Sequence, residues 1–265
     1  MTTEPAPFSP ADRAGKRRDL EARTRGVRAQ ARVELVLTLR RGESLLLTLA
    51  IPVALLVFFS LVDVLPSPEG VDDPVDFLAP GVLSLAVLST AFVGLAIATA
   101  FERSYGVLHR LGTTPLGRPA LLGAKTLSII AVEVVQAVLL VAVALALGWR
   151  PGGNPGLAVL AALVATVAFA GLGLLMAGTL KAEVTLAAAN GVYVVLLLLG
   201  GMVVPLDRLP GALEAAARLL PTAALTEAVT GALASPVDVP ARAWLVLLAW
   251  AAAAPGLAAR WFRWE

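Results

Sequence analysis

Six long apolar runs constrain this sequence more than any other feature. They cover residues 45–62, 77–101, 126–149, 156–180, 184–206 and 241–259. A helix of about 18 residues, the length of the shortest run, extends roughly 27 Å, which is close to the thickness of the hydrocarbon core of a bilayer. Each run is therefore long enough to cross a membrane once. The sequence predicts an all-α polytopic membrane protein with six transmembrane helices.

Composition excludes several classes of site. Hydrophobic residues make up 58% of the chain and charged residues only 15%, whereas soluble domains carry about 25% charged residues. The chain contains no cysteine and a single histidine, His109. Disulfides, thiolate metal sites and cysteine nucleophiles are therefore excluded, and we expect no metal site.

The first 43 residues differ in composition from the rest of the chain. They combine repeated arginine and lysine with several prolines near the start. Low hydrophobicity and high net charge favour disorder, so residues 1–26 are predicted to form a disordered basic tail in the cytoplasm. Residues 27–43 mix apolar side chains with arginine, which predicts an amphipathic helix at the membrane interface. Residues 44–265 then form the six-helix transmembrane domain.

The distribution of lysine and arginine predicts the orientation. Cytoplasmic loops of membrane proteins are enriched in these residues. If the N-terminus is cytoplasmic, the basic residues on the outer side are Arg150, Arg208, Arg218 and Arg242, and all others of the 21 fall on the inner side. We therefore expect both termini in the cytoplasm.

A polar segment, residues 102–125, separates the second and third runs. Its glycines and prolines disfavour a membrane helix, but Val107, Leu108, Leu111 and Leu116 predict a short amphipathic helix. Two interpretations remain open. The segment is either a connector lying on the lipid headgroups or a coupling helix that fits a groove on a soluble partner.

Seven residues of this segment carry a family resemblance. They are Glu102, Arg103, Gly106, Leu108, Arg110, Leu111 and Pro115. Their order resembles the cytoplasmic loop of type-two ABC exporter permeases, the class that contains bacterial drug-efflux and polysaccharide-export permeases. The resemblance also includes the basic lead-in at 40–41, Pro52 in the first run, residues 77–81 and the proline pattern at 205–221. Residues 261–265 are similar to the ending of actinobacterial members.

The resemblance implies a role, partners and a location. It implies a permease in the bacterial plasma (inner) membrane that exports a drug, a lipid or a lipid-linked glycan. The seven residues above would couple it to an ABC ATPase subunit on the cytoplasmic face. A second permease subunit is also implied, and we expect a homodimer surrounded by membrane lipid, with no nucleic acid. Short helices between residues 205 and 233 would lie on the outer side.

The sequence lacks the phosphate-binding motif G-x-x-x-x-G-K-[ST]. We therefore expect no enzymatic activity and no cofactor in this chain, with ATP and magnesium bound by the partner ATPase. One alternative is a secondary transporter or channel that works alone, which would use intramembrane carboxylates. An intramembrane enzyme is the weaker alternative, because His109 lies outside the apolar runs.

Glu133 is the one acid deep inside an apolar run, and Gln136 follows it on the same helix face. An ionised side chain near mid-bilayer costs about 2.5–3.5 kcal/mol, so Glu133 is expected to face protein or water. Two interpretations are open. Glu133, Gln136 and Asn190 line a translocation path, or they form polar contacts between helices, with Asn190, Tyr193 or Thr166 as the partner of Glu133. We favour the second.

Overall fold

The described part of the chain is helical. The computed structural model describes residues 42–62, 74–107, 118–202 and 205–263, with side chains from residue 48 in the first range and from residue 123 in the third. The α-helices in these ranges are α1 (Gly42–Leu61), α2 (Pro74–Leu88), α3 (Leu95–Ser104), α4 (Arg118–Ala146), α5 (Pro155–Thr179), α6 (Ala182–Leu199), α7 (Gly211–Ala217), α8 (Pro221–Leu233) and α9 (Ala241–Trp261). A π-helical segment, Ser89–Gly94, joins α2 to α3, and a 3₁₀ turn, Leu206–Arg208, precedes α7. The described ranges contain no strand.

Five helical segments of the described residues are long and apolar enough to cross a membrane, and the first of them combines α2, the π-helical segment and α3. They are Pro74–Ser104, Gly123–Ala146, Pro155–Thr179, Ala182–Leu199 and Ala241–Trp261. The described apolar part of α1, Thr48–Leu61, is shorter. The predicted all-α, multi-pass class is confirmed, whereas the count of six stays a prediction. The predicted tail, 1–26, lies outside the described residues, and the predicted interfacial helix, 27–43, is described only from Gly42, where α1 begins.

The start of α4 differs from the predicted span. The apolar run begins at residue 126, but the helix begins at Arg118. Pro119 therefore falls in the first turn, where proline is tolerated because the N–H that it lacks would have no partner within the helix. The last part of the predicted connector, residues 118–125, is therefore helical and continuous with the third predicted span.

The end of α6 also differs from prediction. The apolar run continues to residue 206, but α6 ends at Leu199 because Gly201 adopts a positive φ of 70°, which stops the helix. The chain then crosses α2 at close range. A Cβ atom at Gly81 would lie 2.5 Å from the carbonyl oxygen of Met202, so the crossing requires glycine at position 81.

Helices α5 and α6 form a tight antiparallel hairpin, as the short polar connection predicts. α5 ends at Thr179 and α6 begins at Ala182. At the start of α5, the Asn154 side chain accepts hydrogen bonds from the backbone N–H groups of Gly156 (3.0 Å) and Leu157 (3.4 Å). This cap satisfies two of the N–H groups that a helix start leaves without partners.

Helix α8 is buried although it is too short to cross a bilayer. Its 13 residues extend roughly 20 Å, and most of them are buried. It packs against α2, α5 and α9. Arg242 at the start of α9 binds Glu227 of α8 (2.7 Å), and Trp250 Nε1 of α9 donates to the carbonyl oxygen of Leu219 (3.0 Å). The two helices are therefore antiparallel, and α8 fills one end of the bundle.

The bundle has two ends that differ in their contacts. At the Trp149 end, the Asn154 N–H donates to the Ala232 carbonyl oxygen (2.6 Å), which ties the start of α5 to α8. At the Lys181 end, the Arg263 N–H donates to the Gly178 carbonyl oxygen (3.0 Å), which ties the chain after α9 to α5. The predicted orientation would place the Lys181 end in the cytoplasm.

Candidate functional site

An apolar cavity lies between α2, α4, α5 and α8, in the half of the bundle nearest the Trp149 end. It has a volume of about 200 Å³. Its walls include Val87, Val141, Ala158, Val229 and Leu233. Among its lining residues, only Glu133 and Gln136 carry a carboxyl or amide side chain. We call this space the Glu133 cavity.

Only one of the two carboxyl oxygens of Glu133 has a hydrogen-bond partner among the described residues. The Thr166 hydroxyl of α5 lies 2.6 Å from Glu133 Oε2, so one carboxyl oxygen has a partner across the helix pair. The other oxygen, Oε1, is buried and has no hydrogen-bond partner among the described residues. A buried polar atom without a partner is costly and uncommon in folded proteins. Glu133 therefore both joins α4 to α5 and presents a carboxyl oxygen without a partner.

Gln136 forms hydrogen bonds to two neighbouring segments. Its Oε1 accepts a hydrogen bond from the Thr90 hydroxyl in the π-helical segment (3.0 Å), and its Nε2 donates to the backbone carbonyl of Thr48 in α1 (2.9 Å). The side chain is only 1% exposed. Gln136 thus connects α4 to both α1 and the α2–α3 junction, which is the contact between helices expected of a buried amide.

Asn190 lies apart from Glu133 and Gln136. Its side-chain Nδ2 donates to the carbonyl oxygen of Leu186 on the same helix (2.8 Å), and no hydrogen bond joins it to either residue. With Tyr193 it lines a second cavity, between α1, α2 and α6. The three polar residues named from the sequence therefore do not form one group. Of the three partners expected for Glu133, the structure places Thr166 against it.

The described part of the candidate coupling segment is anchored to other helices. The Glu102 carboxylate pairs with the Lys125 ammonium of α4, and Arg103 Nη2 donates to the carbonyl oxygen of Leu180 after α5. Gly106 adopts a positive φ of 70°, a conformation that favours glycine and turns the chain away from α3. The other candidate residues of this segment, Leu108, Arg110, Leu111 and Pro115, lie outside the described residues.

A charged cluster joins α7, α8 and α9 near the Trp149 end. The Glu227 carboxylate accepts hydrogen bonds from Arg218 Nη1 (3.2 Å) and from Arg242 Nη2 (2.7 Å). Arg218 Nε also donates to Glu214 Oε1 (2.8 Å). One carboxylate shared by two arginines holds the short helices against α9. Within the described ranges, no group of His, Cys, Asp or Glu side chains could hold a metal ion.

Three contributors to these sites were not identified from the sequence. Thr90 and Lys125 are partners of Gln136 and Glu102, and each lies far from its partner in sequence, so no local pattern connects them. Trp149 lies at the end of an apolar run, where tryptophan often anchors a helix at the membrane surface. It is instead 5% exposed and lines the Glu133 cavity.

Comparison with known families agrees with this architecture. The sequence matches the family model described as ABC-2 type transporter over residues 26–234, well over half of the chain. The match includes α1 to α8 and ends before α9. A comparison with curated proteins gives no significant match. The chain belongs to the ABC-2 type transporter family and is a permease component of an ABC transporter.

Proposed function

We propose that this chain is the permease subunit of an ATP-driven exporter. It moves a hydrophobic or amphipathic substrate, such as a drug, a lipid or a lipid-linked glycan, out of the cytoplasm. The observation that carries the proposal is the family match over residues 26–234 in a chain that has no phosphate-binding motif of its own. ATP and magnesium then belong to a separate ATPase subunit, and this chain binds no cofactor.

The contacts of Glu102 and Arg103 support a coupling role for the segment that they begin. One side chain is paired with α4 and the other with the end of α5. A force applied to this segment by the ATPase would therefore reach two helices directly. α4 contributes Glu133 to the cavity, so motion at the Lys181 end would be transmitted along the helix to the cavity wall.

The proposed assembly contains two permease subunits in the bacterial plasma membrane. α4 and α6 carry many exposed apolar side chains, among them Val138, Leu145 and Leu198, so their outer faces contact lipid or another protein chain. We propose a homodimer, with substrate passing between the subunits and with both termini in the cytoplasm. The excess of basic residues on the predicted inner side supports this orientation.

The coupling segment is tested by a charge placed on its apolar side. Leu111→Asp is expected to reduce co-purification of the ATPase subunit by more than about tenfold, because a docked apolar contact would have to bury a carboxylate. The tagged chain is extracted in mild detergent, and the bound ATPase is quantified. Membrane insertion of the variant is expected to be normal.

Leu213→Asp is the matched control for this experiment. Leu213 lies on α7, which the predicted orientation places on the outer side, and is 41% exposed. The same substitution there is expected to leave the ATPase bound. Equal co-purification from the Leu111→Asp chain and the unmodified chain would contradict the proposed docking site.

One observation favours a second candidate, an ion-coupled transporter that works without an ATPase. Such proteins use carboxylates inside the membrane, and Glu133 lies well inside a candidate span. The two functions are separated by the energy source. Transport that persists after ATP depletion but stops when ion gradients are collapsed would favour the second candidate.

A further inference from the structure

The Glu133 cavity combines an apolar surface with one hydrogen-bond acceptor. Its lining follows α4 from Glu133 to Val141, a distance of about 12 Å at the rise of an α-helix. On α5 the lining runs from Ala162 back to Pro155, and Trp149 lies at the same end as Pro155. The cavity is therefore elongated, with its carboxyl group at one end and an indole ring at the other.

The free carboxyl oxygen is an acceptor in two of the three arrangements that keep the Thr166 contact, and a hydroxyl donor in the third. If Glu133 is ionised, both of its oxygens accept hydrogen bonds. If Oε2 carries a proton, that hydroxyl donates to Thr166 Oγ1, and the Thr166 hydrogen goes to the Ala162 carbonyl oxygen, 2.8 Å away. Oε1 is an acceptor without a partner in both of these arrangements, whereas it is a donor if it carries the proton itself. An ionised Glu133 therefore requires a donor as its missing partner.

The charges around the cavity narrow the class of ligand. No lysine, arginine or histidine is among the lining residues, so nothing there would stabilise an anionic group. A hydrogen bond between a cationic donor and a carboxylate is roughly twice as strong as one between neutral groups. A buried carboxylate in apolar surroundings is strongly disfavoured unless it is paired. A protonated amine is a cationic hydrogen-bond donor, and it also pairs the buried carboxylate with an opposite charge.

We propose that the Glu133 cavity binds an elongated apolar molecule that carries a protonated amine at one end. The amine donates to Glu133 Oε1, and the apolar chain lies along α4 and α5 toward Trp149. A cavity of about 150 Å³ binds benzene, so about 200 Å³ accommodates a chain somewhat larger than one ring. This assignment concerns binding alone, and it holds whether or not an ATPase drives transport.

The test uses an octylamine with bromine on the carbon farthest from the amine. Bromine quenches tryptophan fluorescence at short range, and the proposal places it beside Trp149. The purified chain in detergent is titrated with this amine, and then with the brominated octanol, octane and octanoate of the same length. A Trp149→Phe chain identifies the part of the quenching that comes from the cavity.

The amine is expected to bind more tightly than the alcohol, the alkane and the carboxylate. Glu133→Gln is expected to weaken amine binding by roughly tenfold or more, since it removes the charge but keeps an oxygen acceptor. Binding of the alkane to this variant is expected to change little. Glu183→Gln is the matched control, because Glu183 is exposed at the Lys181 end of α6 and the same change there is expected to have no effect.

A second variant keeps the proposal testable if Glu133→Gln disturbs folding. Ala158→Leu adds volume to the cavity wall without removing the carboxyl group, and it is expected to weaken binding of the amine and of the alkane together. Amine binding that is unchanged in both variants would overturn the proposal. So would an alcohol or a carboxylate that binds as tightly as the amine. Failure of the ATPase co-purification test would leave these binding results unaffected.

Discussion

The two faces of α5 make opposite kinds of contact. On one face, glycine brings backbones together: a Cβ atom at Gly171 would lie 2.5 Å from the backbone nitrogen of Pro255 in α9. On the other face, α5 meets α4 at the Glu133 cavity, and the hydrogen bond from Thr166 to Glu133 connects the two helices. The first face is filled by backbone, and the second leaves space beside Glu133. Farther along the second face, Gly173 again packs closely, since a Cβ atom there would lie 2.8 Å from the carbonyl oxygen of Phe92.

This difference indicates which helices form a fixed unit. Helix association in a membrane depends on van der Waals packing and on hydrogen bonds between helices, because lipid is as apolar as the helix surface. α5 packs closely against α8 and α9, and α8 against α2. α4 is joined to its neighbours in part by the polar contacts of Glu133 and Gln136. A ligand can therefore occupy the α4 side without breaking the closely packed unit.

The largest expected effect concerns the closely packed face. Gly171→Ala is expected to lower the free energy of unfolding by about 1–3 kcal/mol, because its Cβ would meet backbone atoms of Ala254 and Pro255 that cannot rotate away. The measurement is denaturant unfolding of the purified chain in detergent. Gly191→Ala is the control, since a Cβ there meets no atom within 4 Å. Equal stability of the two variants would contradict the close contact between α5 and α9.

A smaller effect is expected for the polar contacts of α4. Gln136→Leu keeps most of the side-chain volume but removes the hydrogen bonds to Thr90 and Thr48. At about 0.6 kcal/mol for each hydrogen bond between membrane helices, the loss is expected to be roughly 1–2 kcal/mol. Val135→Leu, on the exposed face of the same helix, is the control. No loss in Gln136→Leu would mean that α4 is held by packing alone.

The smallest effect is expected for the single bond across the cavity. Thr166→Val removes the hydroxyl that contacts Glu133, and the expected loss is about 0.6 kcal/mol, with Thr166→Ser restoring it. Thr179→Val is the control, because the Thr179 hydroxyl bonds only to carbonyl groups of its own helix. If Thr166→Val cost as much as Gly171→Ala, the two faces of α5 would be equally constrained, and the comparison would fail.

The helices could be predicted from the sequence more fully than their contacts. Apolar runs are a property of neighbouring residues, so five candidate spans follow from hydrophobicity and length. α8 could not be identified as a buried helix, because Pro221–Leu233 is too short for a span and its burial depends on α2, α5 and α9. The early start of α4 does not follow from the apolar run, because its first turns contain Arg118, Pro119 and Lys125.

The candidate site could be predicted only in part. The positions of Glu133 and Gln136 on one helix face follow from helical periodicity. The partners of Glu133 and Gln136 could not be predicted in this way, because Thr90, Thr166 and Thr48 come from three other parts of the chain. Asn190 was grouped with Glu133 and Gln136 because it is polar, but its position on α6 places it beside another cavity.

This permease is proposed to depend on a separate ATPase subunit for transport. The most direct test places the purified chain in lipid vesicles, with and without the ATPase subunit that co-purifies with it, and measures movement of a fluorescent amphiphilic amine after ATP is added. We predict movement only when both the ATPase and ATP are present. Equal movement by the chain alone, without nucleotide, would contradict the account.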